Sequence, residues 1–411
     1  MDLRELTKDD SLAVSRLMSE AFGRGRRPDE PVKPAAEVEP PKEIEPPKPA
    51  EVEKRESLLL GIFDGARLVA CSTTHHLRVA WESQELAMGG IGGVACTTDQ
   101  RGRGHVGRLL QHALIAMRED GEHLSGLFPF SFPFYRRHGW DWVGERRAYT
   151  IPTREIPSFA EGRSVRCYDG PEALDLVRPI YEQWSSRYRG MTTRSGSGPD
   201  FWNSALAHHD KRTTYVYVYH NPETDIAEGY LTFRYPSGDE PGRVGEFFTL
   251  TAAAQRGLIS VLHYYGTQVS KVTAGGPADD PLTLHIMHNE IETAASPLFM
   301  GRVVDVRSAL QALVPKGAAN GRLNLLVRDA ICDWNNGTFE ISIEDSTVNA
   351  TITSQSAGVT LDIQSLTQAF WGHPNLDALR AAGRVDVTDE GQYAILSSLL
   401  PRKICYLQDF F

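Results

Sequence analysis

Residues 90–110 constrain the fold more than any other stretch of the chain. Gly90-Ile91-Gly92-Gly93-Val94-Ala95-Cys96 is an apolar strand pattern, Asp99-Gln100-Arg101-Gly102-Arg103-Gly104 is a basic, glycine-rich turn, and His105-Val106-Gly107-Arg108-Leu109-Leu110 opens an amphipathic helix. Amides that open a helix have no intrahelical partner and lie at the positive end of the peptide dipole, while glycine lets an anion come close to the backbone. Arg101 and Arg103 add charge-assisted donors beside them. The turn therefore reads as a cradle for a pyrophosphate, with an ordinary glycine-rich connection as the alternative. It lacks the Gly-Lys-Ser/Thr ending of a Walker loop, and the acidic residue that a dinucleotide-binding turn needs after its second strand is missing. The helix keeps Val106, Leu109, Leu110, Ala113, Leu114 and Met117 on one face, and Leu124 to Phe130 reads as the next short strand.

The Arg-x-x-Gly form from Arg101 to Gly104 resembles the acetyl-CoA-binding turn of the GCN5-related N-acetyltransferases (GNAT). Strand, turn, helix and strand is the order that family requires. Ser131-Phe132-Pro133-Phe134-Tyr135-Arg136-Arg137-His138-Gly139-Trp140 resembles its Phe-Tyr-x-x-x-Gly-Phe/Trp segment, whose tyrosine protonates the departing coenzyme thiolate. Tyr135 takes that place, and a phenol keeps its proton at neutral pH until a stronger base takes it. Without the upstream turn, Tyr135 reads as a packed aromatic beside Phe134 and Trp140; with it, the catalytic reading is preferred.

The chain beyond this core is long enough for two further units. From 161 to 300 the first pattern recurs in weaker form: Tyr215–Tyr219 and Glu228–Phe233 read as strands, and Val244–Thr251 leads into a helix from Arg256 to Leu262. Gly257 alone remains of the phosphate turn, so this copy is expected to bind no coenzyme. From 301, Arg302–Val306 opens a third unit with strands at Phe339–Ile343, Val348–Ile352 and Val359–Ile363, and helices at Ser365–Trp371 and Leu376–Ala382. This unit resembles a sterol carrier protein (SCP2) fold.

Together the three units resemble the Eis (enhanced intracellular survival) acetyltransferases. The resemblance implies an α+β fold made of tandem GNAT domains, an active one at 1–160 and a degenerate one at 161–300. An SCP2-like α/β domain at 301–411 follows, with its C-terminus entering the active site. It further implies Phe411 as proton acceptor through its main-chain carboxylate and acetyl-CoA as co-substrate. Coenzyme contacts would fall at Val94, Ala95, Cys96, Arg101, Gly102, Arg103, Gly104, His105, Val106, Gly107, Phe130 and Ser131. A hexamer of paired trimers is implied as well. Val106 departs from the Gly or Ala that the wider GNAT pattern prefers.

Local chemistry bears on the base. Between Ala87 and Thr98 there is no Asp, Glu or His, so a base must come from elsewhere. The apolar end, Ile404 to Phe411, is poorly suited to fray. An α-carboxylate is a weak base that would act through water or a pKa raised by desolvation; a terminus that merely closes the third domain is the alternative. Cys96 reads as a small buried hydrophobe with no activating histidine nearby in sequence.

The stretch 24–56 sets eight prolines among 8 Lys/Arg and 9 Asp/Glu, a composition that cannot bury a core. It is expected to be an extended surface insertion, or a lid on the acceptor pocket. It carries a net charge of only −1 of the −10 total, so the folded domains are acidic. That argues against a nucleic-acid partner and suits a cationic, aminoglycoside- or polyamine-like amine, with Asp409 a candidate carboxylate for it. Acetylation of a protein lysine or N-terminus, and lipid binding by the third unit, are the competing readings. No apolar run suggests a membrane span, the start lacks signal-peptide character, and a cytoplasmic location is expected. Five scattered cysteines and the adjacent pairs His75-His76 and His208-His209 show no metal-ligand spacing, so no metal is expected.

Overall fold

The computed structural model describes residues 1–23, 57–195, 199–207, 214–236, 238, 240–286, 288–315, 317 and 320–411. The proline-rich stretch 24–56 and His208-His209 lie outside the described residues. Strands β1 (Asp2–Glu5), β2 (Ser57–Asp64), β3 (Arg67–Trp81), β4 (Gln84–Cys96), β5 (Leu124–Leu127) and β6 (Asp141–Pro152) come from the first GNAT-like half. The second half supplies β7 (Val165–Asp169), β8 (Thr214–His220), β9 (Ala227–Arg234), β10 (Gly242–Thr249), β11 (Lys271–Pro277) and β12 (Glu292–Val303).

All twelve form one sheet in the order β1-β2-β3-β4-β5-β12-β6-β11-β10-β9-β8-β7. Its centre is an exchange. β12 pairs with β5 and β6, and β6 pairs with β12 and β11, so each half lends a strand to the other and neither sheet is complete alone. Arg302 and Val303, which read in the sequence as the start of a third unit, finish β12 instead; Gly301↔Gly126 and Val303↔Leu124 register them on β5. Arg302 is fully buried there.

Helices α1 (Ser11–Phe22) and α2 (His105–Glu119) cover opposite faces of β2. Leu58, Leu60 and Ile62 pack with Leu109, Leu110 and Leu114 of α2, while Phe63 and Leu59 join Leu17 of α1. Burial on both faces explains why these strands read as nearly continuous apolar runs, and each fully buried leucine of α2 contributes ~1.5–3 kcal/mol. The helix ends in a Schellman turn, with Glu122 N donating to Met117 O at 2.8 Å and Gly121 N to Arg118 O at 3.2 Å. That turn swings Glu122 beneath the sheet, 2.8 Å from His76 Nδ1.

Next along the chain come α3 (Phe132–Arg136), α4 (Leu174–Ser185), α5 (Phe201–Leu206) and α6 (Ala252–Tyr264). Gly257 lies inside α6 and not in a phosphate turn. A Cβ there would come within 2.7 Å of the Tyr219 ring, so close helix–sheet packing accounts for this glycine.

After α7 (Thr283–Ile286) and α8 (Val306–Gln311), the C-terminal unit forms a five-stranded sheet, β15-β14-β13-β16-β17. Its strands are β13 (Gly321–Arg328), β14 (Gly337–Glu344), β15 (Thr347–Thr353), β16 (Val359–Asp362) and β17 (Val385–Val387). Helices α9 (Ile363–Trp371), α10 (Leu376–Ala381) and α11 (Glu390–Leu399) accompany it. Leu325, Phe339, Ile341 and Leu366 fill its interior, and the same core runs on into the large sheet. Phe370 and Trp371 of α9 each place a ring 5.1 Å from Trp81.

Candidate active site

β4 and β5 run parallel from Met88↔Leu124 to Ile91↔Leu127 and then part. β5 ends there, while β4 continues to Cys96, bonded only to β3 on its other side. A bulge between the Thr73↔Gly92 and Cys71↔Ala95 pairs bends this continuation away. The result is a wedge whose inner wall is the free edge of Gly92–Cys96, carrying Val94, Ala95 and Cys96. Backbone groups on such an edge suit the amides of a pantetheine arm. Burial pushes the Cys96 thiol above its ordinary pKa, and its Sγ is 3.6 Å from Thr97 O, which suits a packing role.

The basic turn closes one end of the wedge. Residues 101–104 are exposed, and the first backbone bond into α2 runs from Arg108 N to Gly104 O at 3.1 Å. The preceding helix-opening amides are therefore outside the helical ladder. Gly104 is the N-cap at φ +81, a left-handed conformation that a side chain resists, and a Cβ at Gly102 or Gly104 would meet no atom within 4 Å. Open space, donors and arginines together fit a diphosphate. Arg101 Nε reaches Cys96 O at 3.4 Å, and the Arg67–Asp99 ion pair at 2.8 Å braces the turn. The His105 side chain and the bare α-carbon of Gly107 also serve packing. His105 is buried, with both ring nitrogens lacking a hydrogen-bond partner among the described residues. Gly107 faces His138, whose Cε1 would lie 2.7 Å from a Cβ. Val106 is half-buried against the core under α2.

Tyr135 sits on α3, just after Ser131, with its ring 5.1 Å from Phe130 and 5.2 Å from Phe134. It is 2% exposed, and burial pushes its phenol well above the ordinary tyrosine range, so the group stays protonated. Phe130 is 67% exposed at the rim. The segment is held from the exchanged strand: Arg302 Nη1 donates to His138 O at 2.8 Å and Nη2 to Asp329 Oδ2 at 2.7 Å. Gly139 makes room for it, since a Cβ there would overlap the guanidinium.

The C-terminal segment enters the wedge from the other end. Phe411 lies edge-to-face between Phe128, at 5.5 Å, and His75, at 6.2 Å. A Cβ on Gly90 would lie 2.7 Å from its ring, and one on Gly92 would lie 3.0 Å from its carboxyl carbon. Only glycine lets the tail lie this close to β4. Burial, reinforced by His76, lowers the pKa of His75.

Asp409 does not face an acceptor. Both its oxygens are taken by Arg194, by Nε at 3.0 Å and by Nη2 at 2.6 Å, with Tyr181 Oη and Thr192 Oγ1 on the same carboxylate. The grip of Arg194 on the tail, the burial of Arg302 and the place of His75 beside Phe411 were not read from the sequence. A lone arginine inside the apolar run Phe299–Val304 was the available signal for Arg302, because a buried charge demands a partner. Gly90 and Gly92, two apart and so on one face of β4, were the signal for a chain lying on that strand.

Among known proteins, acetyltransferase (GNAT) domain models match residues 2–143 and 190–303, and a sterol carrier protein domain model matches 306–408. The chain is a GNAT-type N-acetyltransferase. An uncharacterized N-acetyltransferase of Streptomyces avermitilis is 25% identical over 386 residues, spanning 85% of this chain and 88% of its own. One from Streptomyces griseus is 24% identical, spanning 95% and 94%. In solved structures, a GCN5-related N-acetyltransferase from Anabaena variabilis matches the whole of both chains at TM-score 0.82 and 20% identity. Eis1 from Mycobacterium abscessus does so at 0.75 and 18%. The acetyltransferase thus shares the three-domain Eis fold, and the GNAT fold implies acetyl-CoA as acetyl source and a small-molecule acceptor. Among the described residues, no helix is long and apolar enough to cross a membrane, and no cluster of three or more His, Cys, Asp or Glu is arranged to hold a metal.

Proposed function

We propose that this acetyltransferase moves an acetyl group to the primary amine of a small cationic acceptor, aminoglycoside- or polyamine-like, by direct attack. The observation that carries the reading is the Phe411 carboxyl group lying against Gly92, where β4 and β5 part. Acetyl-CoA supplies the thioester, held by the edge of Val94–Cys96 and the turn from Arg101 to Gly107. The Phe411 carboxylate, seated beside Phe128, His75 and β4, takes the ammonium proton. Amides on the β4 edge polarise the acyl carbonyl. Tyr135 Oη is the proton donor to sulfur, a role that suits a phenol kept protonated by burial. An acidic folded surface, outside the near-neutral 24–56 stretch, draws in a cationic acceptor.

Tyr135→Phe and a chain lengthened by one glycine after Phe411 are each expected to lower kcat by about 10²-fold or more with coenzyme affinity unchanged. Wild-type rates in both would end this mechanism. Screening aminoglycosides, polyamines and peptides with a free-thiol readout tests the acceptor class; turnover with peptides alone would replace it with protein acetylation.

A further inference from the structure

We infer that Arg194 and Asp409 form a clamp, built on the second GNAT domain, that sets the reach of the Phe411 carboxylate into the first domain's active site. The inference rests on the carboxylate reading above and assigns two positioning residues to it.

The tail is tied at three successive points. Ile404 and Tyr406 bracket Arg189 in a short parallel bridge, with Arg189 N donating to Ile404 O at 3.2 Å and Tyr406 N to Arg189 O at 3.0 Å. Gln408 Nε2 then donates to Gly245 O on β10 at 3.0 Å. Asp409 follows, two residues before the carboxylate, and it is the strongest tie. Arg194 grips it side-on through two donors, a geometry that fixes direction as well as distance. The guanidinium is itself immobilised. Its side chain is 1% exposed, Nη2 also pairs with Glu246 of β10, and its carbon sits 3.9 Å above the Tyr181 ring and 4.6 Å from Trp202. Tyr230 Oη secures Glu246 at 2.8 Å. After Asp409 the chain has one exposed residue, Phe410, and then Phe411. Rigid anchoring ends within two residues of the proposed base, so a shift at Asp409 passes almost directly to the carboxylate. Displacement of a reacting group by about 1 Å costs on the order of 10²-fold in rate.

The test uses the full-length enzyme. Asp409→Asn keeps the shape and removes the charge; kcat is expected to fall about 10²-fold while the KM and calorimetric affinity for acetyl-CoA stay within about 2-fold. Adding Asp409→Asn to the chain lengthened by one glycine should slow it no further, because both changes act by displacing the same Phe411 α-carboxylate from the site. A merely structural role would instead multiply the two losses. A normal kcat for Asp409→Asn, or multiplying effects, would overturn the clamp while leaving the base intact. A normal kcat for the lengthened chain would overturn the base reading, and the clamp with it. Should Asp409→Asn fail to fold, Thr192→Val removes a single donor to Asp409 and is expected to lower kcat about 5-fold at unchanged coenzyme affinity; a wild-type rate would then refute the clamp.

Discussion

The sheet contains the same wedge twice, and the two are finished differently. β10 and β11 run parallel at Gly242↔Val272 and Arg243↔Thr273 and then part, as β4 and β5 do. In the first wedge the free edge of β4 stays open and α2 begins behind a glycine that has no side chain to cap it. In the second, Gly245 O accepts from Gln408, Thr249 O accepts from Arg187 Nη1 at 3.3 Å, and Thr251 caps α6 through Ala254 N at 3.2 Å. A cavity of about 650 Å³ remains there, lined by Trp184, Tyr188, Asp280 and Tyr406 among others. One topology thus provides unsatisfied backbone at two places. Where the chain's own side chains satisfy it, the wedge holds the protein together; where they do not, it is left for a ligand.

The largest effect expected from breaking this contrast is at Arg302, lent by β12 to the first wedge alone. Arg302→Met leaves Asp329 buried without its cation and should cost ~3–5 kcal/mol in urea unfolding. Glycines separate the wedges next. Gly257→Ala overpacks the Tyr219 ring and should cost ~1–3 kcal/mol of stability with no change in acetyl-CoA affinity. Gly104→Val puts a branched side chain at φ +81 in the open loop and should weaken acetyl-CoA about 10-fold, or ~1.4 kcal/mol by calorimetry.

Acid sharpens the comparison further. In the second wedge, burial pushes the Asp280 carboxyl up to about 6, above its unfolded value, so the folded protein binds the extra proton and ionisation at higher pH costs stability. Asp280→Asn should raise stability by about 1 kcal/mol at pH 8 and by nothing below pH ~4. His75, beside the first wedge, has the opposite sign. Its folded pKa is lowered, the unfolded chain binds the extra proton, and stability falls as pH drops through ~6.5. His75→Gln should flatten the fall in unfolding free energy between pH 7 and 5, by less than about 1.4 kcal/mol per pH unit in urea titrations.

What the sequence disclosed was local. The turn, the face of α2, the strands of the C-terminal unit and the Tyr135 segment follow from periodicity and turn chemistry within some 20 residues. Eis-like architecture followed from those motifs taken in order. The exchange of β6 and β12 did not, because either strand pairs equally well with a neighbour from its own half or the other. Nor did the tail's fastening: Arg194 and Asp409 are 215 residues apart, and neither lies in a repeating pattern. Asp409 looked available to a cationic acceptor because its partner was invisible. Gly257 looked like a motif remnant because a glycine needed for helix packing and one needed for a turn are the same letter.

The interleaving of β6 with β12 also bears on how such a chain is made. When β5 leaves the ribosome its outer edge has no neighbour, and β12 follows only some 170 residues later, a wait of roughly 10–35 s at ordinary rates of synthesis. During that interval a hydrophobic strand edge is open to any passing polypeptide. The first half's sheet is complete only once the second half has supplied β12.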